Sequence, residues 1–304
     1  MADLLVVGSV ALDTVETPFG SVKEVLGGSA TYFSYSASFF TRVRLVASVG
    51  DDFPPEHARL LRDRGVDVAG LDVARGGRTF RWVGAYGYDL NEAKTLDTQL
   101  NVLAAFRPRL DERLARTPYL FLANIDPALQ LEVLRQMRAR PRLIALDTMN
   151  FWIQGQRDAL LAVLREVDVV TINDAEARQL ANEPNLVRAA RAIAAMGPAT
   201  VVVKRGEYGA LLFSDGAFFV VPAYPLESVF DPTGAGDTFA GGFMGHLAAQ
   251  DRVDGPTMRR AMVYGSVMAS FAVEDFSLNR LTRLDEAEIA ARYTAFHDLT
   301  RLEP

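Results

Sequence analysis

Cysteine is absent from the 304-residue sequence, and histidine and lysine each occur only three times. Without cysteine the chain can form no disulfide, no cysteine-ligated zinc site, no iron–sulfur cluster and no thiol nucleophile. The three histidines, His57, His246 and His297, lie far apart, so no histidine-based metal motif such as HExxH is present. The chemistry of this chain must therefore rest on carboxylates, hydroxyls, backbone amides and a few cations.

Three common nucleotide or hydrolase motifs are also missing. The dipeptide Gly-Lys does not occur, which excludes a Walker A phosphate loop. No Gly-x-Ser-x-Gly elbow is present, so an α/β-hydrolase is disfavoured. The first apolar segment is not followed by Gly-x-Gly-x-x-Gly, the fingerprint of dinucleotide-binding folds.

Acidic residues outnumber basic ones, 38 against 32, and the formal net charge is −6. This balance argues against a nucleic-acid partner and against binding to an anionic membrane surface. The N-terminal segment MADLLVVGSVALD has no basic region, and its apolar run is too short to span a bilayer. The expected compartment is the cytoplasm.

Short apolar segments alternate with helical segments over most of the chain. This order is typical of a mostly parallel sheet covered by helices on both faces. The sequence therefore predicts an α/β fold with a doubly wound, mostly parallel sheet. Strands are predicted at residues 4–8, 43–49, 119–122, 143–146, 167–172 and 200–203, and three C-terminal helices at 235–249, 257–273 and 285–298.

Two segments interrupt this alternation and predict a small β appendage. Residues 79–88 (TFRWVGAYGY) read as a strand of an antiparallel pair, with Phe80, Trp82 and Tyr86 on one face and Arg81 on the other. The predicted division is a body of residues 1–13, 27–75 and 101–304 and a β appendage of residues 14–26 and 76–100.

The most informative stretch is DPTGAGDTF, residues 231–239. It places a Gly-Ala-Gly turn at the start of a long helix, where free backbone N–H groups and the positive end of the helix dipole favour an anion. Asp237 lies beside this turn, where a carboxylate suits proton removal from an incoming hydroxyl. The structural alternative is a glycine-rich turn with Asp237 as a capping residue.

The sequence resembles the ribokinase-like (PfkB) carbohydrate kinases, whose usual signature is D-T-x-G-A-G-D. Four further features occur in the family's order: Asp13 after the first strand, the diglycine Gly27-Gly28, the N-x-x-E pattern at residues 173–176, and KRGEYG at residues 204–209. The resemblance implies a ribokinase-like body with a small β-sheet lid over the acceptor site. It also implies transfer of the ATP γ-phosphate to a hydroxyl group, with a homodimer through the lid as a further expectation.

By this resemblance Asp237 is the catalytic base, and the N–H groups of Gly234, Ala235 and Gly236 form the anion hole. Asn173 and Glu176 are expected to organise Mg²⁺ largely through water, although an Asn and a Glu at this spacing also form a capping box. The implied cofactors are ATP and Mg²⁺, and a monovalent cation is left open. The expected ATP-binding residues are Asn173, Lys204, Gly206, Gly209, Thr233 and Ser266, with Arg205 as a competitor of Lys204.

The acceptor site is expected to contain Asp13, Gly27 and Gly28, because a carboxylate can accept two adjacent hydroxyls and a diglycine permits close approach. The chain departs from the family's GGxxAN pattern, since Tyr32 occupies the position of the Asn. Tyr32, Arg81 and Asn150 complete the set of expected substrate-binding residues.

The function predicted from the sequence is an ATP-dependent kinase that phosphorylates a sugar or sugar derivative. A nucleoside kinase of the same family is the alternative within this class. A catalytically silent sugar-binding or regulatory protein on a kinase fold is the alternative of another class, and the intact Asp237, Glu176 and glycine turn argue against it.

Overall fold

The computed structural model describes residues 2–301, which form a large sheet, a small sheet and surrounding helices. The strands are β1 Leu4–Val7, β2 Ala11–Thr17, β3 Gly20–Gly27, β4 Val43–Gly50, β5 Asp67–Ala74, β6 Phe80–Tyr86, β7 Ala93–Gln99, β8 Tyr119–Leu122, β9 Leu143–Asp147, β10 Val169–Asn173, β11 Thr200–Lys204, β12 Ala210–Ser214 and β13 Ala217–Val221. The helices are α1 Ser29–Ala37, α2 Pro55–Asp63, α3 Pro127–Gln136, α4 Asn150–Gly155, α5 Arg157–Leu164, α6 Asp174–Ala181, α7 Leu186–Ala194, α8 Ala235–Gln250, α9 Gly255–Ala272, α10 Asn279–Thr282 and α11 Glu286–Thr300.

The large sheet has the order β13-β12-β11-β10-β9-β8-β1-β4-β5 within the described residues. All neighbouring strands from β5 to β11 pair in parallel, and the β12–β13 hairpin continues the sheet antiparallel. The carboxyl ends of β9, β10 and β11 therefore meet at one edge, where open α/β sheets bind ligands. This architecture confirms the predicted doubly wound α/β fold.

The core lies on both faces of the large sheet, as the continuous apolar strands predict. In β1, Leu4 and Val6 join the cluster under α1, α8 and α9, whereas Leu5 and Val7 join the cluster under α3, α5, α6 and α7. Gly241 allows α8 to approach α1 closely, because a Cβ there would lie 2.5 Å from the carbonyl oxygen of Phe33. This close packing fixes the position of the N-terminal end of α8.

The small sheet has the order β3-β2-β6-β7. Strand β6 pairs antiparallel with β7, as predicted, and also pairs in parallel with β2. Because Ala11 pairs with Gly27, the β2–β3 hairpin is longer than the sequence indicates. The structure therefore places Asp13 and Gly27, which the sequence assigned to the body, within strands of the small sheet.

Three strands of the large sheet, β5, β12 and β13, were not among the strands predicted from the sequence. Strand β5 has the sequence DVAGLDVA and lies at the edge of the sheet, where its residues are only partly buried. An edge strand needs no continuous apolar run, because one of its sides faces solvent. The apolar periodicity used for the buried strands therefore could not detect it.

Candidate active site

The glycine turn at the start of α8 has the backbone conformation that its sequence predicts. Gly234 adopts φ 73° and ψ 2°, a left-handed conformation that glycine adopts without steric cost. A Cβ at this position would also lie 2.3 Å from the ring of Tyr32, so the turn rests directly on that ring. Asp237 follows in the first turn of α8.

The amides of this turn are not equivalent. The N–H of Ala235 donates to the carbonyl oxygen of Pro232 at 3.1 Å, and Thr238 donates to Gly234 at 2.8 Å. Within residues 2–301, no hydrogen-bond acceptor lies in place for the N–H groups of Gly234 and Gly236. Of the three amides expected in the anion hole, the turn thus leaves those of Gly234 and Gly236 available to a ligand.

A buried ion pair lies against the turn. The Nζ of Lys204, at the end of β11, donates to Oδ2 of Asp147 at 2.6 Å, and the same oxygen accepts from the hydroxyl of Thr171 at 2.9 Å. A Cβ on Gly236 would lie 3.0 Å from the ammonium, so the glycine permits this approach. Lys204, rather than Arg205, is therefore the cation that the fold places beside the glycine turn.

Burial and the local charges shift the pKa values in this cluster. Burial raises the pKa of Asp237, the Asp147 carboxylate adds to the rise and Lys204 opposes both, which together give a pKa of about 7. Burial lowers the pKa of Lys204, but the negative charges of Asp147, Asp237 and Glu176 raise it by more. The net shift of the Lys204 pKa is therefore upward. Lys204 therefore stays charged near neutral pH, while Asp237 is poised to exchange a proton.

Asn173 and Glu176 form a complete capping box at the start of α6. The side chain of Asn173 accepts from the N–H of Glu176 at 2.8 Å, and the N–H of Asn173 donates to Oε2 of Glu176 at 2.9 Å. Burial raises the pKa of Glu176 to about 7, with Asp147 adding to the rise. The expected capping box is therefore present. Asp147, Lys204 and Asp237 lie near enough to Glu176 to influence its pKa.

Three of the acceptor-side residues predicted from the sequence, Asp13, Gly27 and Gly28, lie together. Asp13 is 4% exposed, and a Cβ on Gly27 would lie 1.8 Å from its Oδ2. Gly28 has φ 95°, and a Cβ there would lie 2.6 Å from the carbonyl oxygen of Ser9. Burial raises the pKa of Asp13 to about 7, a hydrogen bond from Gly28 opposes the shift, and Asp231 and Asp237 add to it. Asp13 and Asp237 therefore belong to one electrostatic cluster.

Phe80 and Trp82 lie on one face of the small sheet and Arg81 lies on the other, as predicted. Trp82 pairs with Asp13 and Phe80 with Ala11, so these side chains share a face. The indole of Trp82 lies over Gly84, where a Cβ would be 2.0 Å from the ring. Further along the same strand, the hydroxyl of Tyr86 lies 3.2 Å from that of Thr233. Trp82 therefore offers a flat apolar surface on the face that carries Asp13.

Several predicted site residues lie elsewhere or play another part. Arg81 points to the opposite face of the small sheet and pairs with Glu24 at 3.0 Å and Asp52 at 2.8 Å. Tyr32 is 1% exposed beneath the glycine turn, so its ring supports Gly234 instead of presenting a surface to a ligand. Asn150 is exposed at the start of α4, and Ser266 is buried within α9. The structure does not bring Arg81 to the face of Asp13.

The glycines after β11 have a positive φ and close neighbours, which favour glycine over other residues. Gly209 has φ 81°, and a Cβ there would lie 2.1 Å from the carbonyl oxygen of Val221. Gly206 has φ 54° and contacts Asn91 of the small sheet. Residues 205–209 form a closed turn, since the N–H of Arg205 donates to the carbonyl oxygen of Gly209 at 2.8 Å.

Two residues of the site received no role from the sequence. Asp147 is the last residue of β9 and forms the ion pair with Lys204. Asp231 opens the DPTGAGD segment; it accepts from the N–H of Thr233 at 2.9 Å and from the N–H of Ser277 at 3.3 Å. The position of Asp147 at a strand end was the available signal, but its partner lies 57 residues away.

Neither a protein-only metal cage nor a membrane span is found in the part of the chain described here. Among residues 2–301, no group of three or more His, Asp or Glu side chains is arranged to hold a metal ion. The helices within the same range are all too short or too polar to cross a membrane. A Mg²⁺ ion is nevertheless compatible with the site, because this ion commonly uses one or two carboxylates, substrate phosphates and water.

Comparison with known proteins identifies the class to which this site belongs. The model of the pfkB family of carbohydrate kinases matches residues 1–283. A cytidine kinase from Thermococcus kodakarensis is 31% identical, with 80% of this chain and 88% of that enzyme aligned. A nucleoside kinase from Methanothermobacter thermautotrophicus is 25% identical, with 96% of each chain aligned. The chain therefore belongs to the pfkB family and is a phosphotransferase with an alcohol group as acceptor.

The fold agrees with this membership. The chain matches an Escherichia coli structure of the ribokinase type, solved with ATP and Mg²⁺, with a TM-score of 0.78 and 20% identity. The match covers 97% of this chain and 100% of the other.

Proposed function

We propose that this enzyme transfers the γ-phosphate of ATP to a ribose hydroxyl of a nucleoside. The observation that carries the proposal is the pairing of two buried carboxyls in one cluster. Asp237 lies beside the glycine turn, and Asp13 lies on the face of Trp82. The first suits deprotonation of a hydroxyl next to a bound phosphate, and the second suits recognition of a sugar diol.

The phosphate end is supported by the free amides and the buried cation. The N–H groups of Gly234 and Gly236 would donate to the transferring phosphoryl group, and the ammonium of Lys204 would balance its charge. Asp237 takes the proton of the attacking hydroxyl while that oxygen forms a bond to the γ-phosphorus. The bond from the γ-phosphorus to its bridging oxygen breaks, and ADP leaves. Positioning and charge neutralisation supply most of the rate enhancement in such reactions.

Mg²⁺ would neutralise charge on the ATP phosphates when it is bound. Glu176 is the carboxylate best suited to this ion, since only its Oε2 serves the capping box with Asn173. The remaining ligands would be water and phosphate oxygens. A monovalent cation stays a prediction without an assigned site.

A nucleoside is favoured over a simple sugar for two reasons. Two relatives that align over most of their length are a cytidine kinase and a nucleoside kinase. The flat indole of Trp82 on the face of Asp13 would also pack against a planar base, whereas a hexose would not need such a surface. A sugar or sugar derivative is the second candidate.

A panel of acceptors tests this proposal. ADP formation would be measured with MgATP and, in turn, cytidine, uridine, adenosine, inosine, ribose, fructose and 2-keto-3-deoxygluconate. We expect a nucleoside to have the highest kcat/KM. Turnover of fructose or 2-keto-3-deoxygluconate alone would replace the nucleoside proposal with the sugar candidate. Binding of an acceptor without ADP formation would support the silent-protein alternative.

The activity should depend on the ionisation of Asp237. Its pKa of about 7 means that the base is protonated in acid, so kcat/KM should fall about tenfold per pH unit below pH 7 and level off above it. Initial rates from pH 5.5 to 9 would measure this profile. A flat profile down to pH 5.5 would contradict the proposed base. Asp13 and Glu176, which also have pKa values of about 7, would steepen the acid limb if they must be ionised.

Gly27→Ala should impair acceptor binding selectively. The added methyl group would occupy the place of the Asp13 carboxylate, which must then move by about 1 Å or more. A displacement of this size costs up to about 10²-fold in kcat/KM for the acceptor, while KM for ATP should change less than about twofold. Gly155→Ala is the matched control, because a Cβ there meets nothing within 4 Å. Equal losses toward both substrates would contradict an acceptor role for Asp13.

Two further expectations keep the status of predictions. The exposed outer face of the small sheet, which includes Leu96, is the surface through which a homodimer would form. The cytoplasm stays the expected compartment.

A further inference from the structure

The small sheet is attached firmly to the body at one end. Thr79, immediately before β6, is fully buried; its hydroxyl donates to Asp52 at 2.8 Å and accepts from the N–H of Gly50 at 3.0 Å. The side chain of Asn101, beyond β7, donates to the carbonyl oxygen of Thr79 at 2.9 Å. These buried and partly buried contacts define the end about which the sheet would pivot.

At the opposite end, beside the contacts of Tyr86 and of the β2–β3 turn, the sheet reaches the body through the exposed loop of residues 87–92. The Oδ1 atom of Asn91 accepts from the N–H of Glu207 at 3.3 Å, and its Nδ2 lies 3.4 Å from Oε1 of Glu207. A Cβ on Gly206 would lie 1.7 Å from that Oδ1, so glycine permits the contact. Asp89 holds the carboxamide in place by accepting from both nitrogens of Asn91, at 3.0 and 3.2 Å.

The contacts at this loop are weaker than those at the buried end. Asn91 and Glu207 are both exposed, and every residue of β7 is exposed. Hydrogen bonds between exposed polar groups contribute little net free energy, because water replaces them readily. The loop can therefore leave the body while the buried end stays attached.

The position of this loop on the body indicates its function. Residues 205–209 directly follow Lys204, and Tyr86, just before the loop, meets Thr233 beside Gly234. The same small sheet carries Asp13 and Trp82 on its inner face. The small sheet thus bears the acceptor-side residues and also contacts residues 205–209 and Thr233, the two segments beside the proposed phosphate site.

We propose that Asn91 is a positioning residue that couples closure of the small sheet to nucleotide binding at residues 205–209. The inference rests on the proposed ATP site. A nucleotide that orders residues 205–209 favours the docked loop, and by linkage the docked loop strengthens nucleotide binding. The side chain of Asn91 need not touch either substrate for this effect.

Hydrogen–deuterium exchange of the full chain tests the coupling without any acceptor. The ligand would be the ATP analogue AMP-PNP with Mg²⁺, at about ten times its Kd. In the wild type we expect exchange to slow by about three- to tenfold both at residues 205–209 and at residues 87–92. In Asn91→Ala, protection at 205–209 should persist, whereas protection at 87–92 should disappear. Glu92→Ala, an exposed neighbour, is the matched control and should behave as the wild type.

The possible failures can be told apart. Protection at 205–209 without protection at 87–92 in the wild type would overturn the coupling and leave the ATP site intact. Protection at 87–92 that survives in Asn91→Ala would overturn the role of Asn91. Absence of protection at both loops would count against the ATP site itself and would remove the inference with it.

Steady-state kinetics provide a second measurement. Asn91→Ala should raise KM for ATP about three- to tenfold, the range expected for losing one or two exposed hydrogen bonds, and should change KM for the acceptor less than about twofold. A purely structural role in the small sheet would instead affect the acceptor, whose residues lie on that sheet. An increase confined to the acceptor KM would therefore contradict the proposal.

Discussion

Asp237→Asn is expected to lower kcat by about 10²- to 10⁴-fold, the usual contribution of a positioned base. Asparagine has nearly the same shape as aspartate, so the first turn of α8 should keep its packing. The substitution removes a buried group that is about half protonated near pH 7, so the loss of its charge should be tolerated by the fold. ADP formation with the best acceptor of the panel would measure the loss, together with KM for both substrates.

The control for this variant is Asp158→Asn at the exposed start of α5, which should retain the activity of the wild type. The residual activity of Asp237→Asn should also lose the inflection near pH 7. Full activity in Asp237→Asn would refute the assignment of the base. A large loss accompanied by unfolding, seen as a lowered Tm, would show that the carboxyl serves the structure instead.

Lys204→Met is expected to destabilise the fold as well as to reduce activity. The side chains of Lys204 and Asp147 are 17% and 6% exposed, so removal of the ammonium leaves an uncompensated carboxylate in a buried place. Breaking such a pair costs about 3–5 kcal/mol of unfolding free energy. Urea unfolding at pH 8 would measure this change.

The destabilisation should arise from the unpaired carboxylate of Asp147 and not from the loss of the lysine side chain itself. The double variant Asp147→Asn with Lys204→Met should recover much of the stability at pH 8, because neither partner of the pair is then left as an unpaired charge. Equal stability of Lys204→Met and the wild type at pH 8 would show that the ion pair contributes nothing.

The body of the fold was accessible from the sequence because its strands are buried on both faces. Strands β1, β8, β9 and β10 are short continuous apolar runs, and helices with ordinary lengths separate them. Strand β5 escaped detection because an edge strand mixes polar and apolar residues. The longer β2–β3 hairpin also escaped detection, since the pairing of Ala11 with Gly27 depends on a partner strand rather than on local composition.

The candidate site, like the fold, was only partly predictable from the sequence. Asp13, Asp237 and the glycines of the site could be predicted because each belongs to a short local motif. Glycine in particular is favoured where the backbone has a positive φ or approaches another group closely. Arg81 and Tyr32 could not be placed by the same reasoning. Their residue types suit a ligand, but Arg81 finds Asp52 across the fold and Tyr32 lies under Gly234.

The sequence by itself determined which groups can perform the chemistry of this protein: with no cysteine and only three histidines, the reaction relies on carboxylates and backbone amides. It also determined the turn and the helix that present Asp237, since both are local. Only the tertiary structure decided that Lys204 pairs with Asp147, that burial raises the pKa of Asp237 to about 7, and that Asn91 reaches Gly206. The physical reason is that charge pairing and desolvation depend on neighbours brought together from distant parts of the chain.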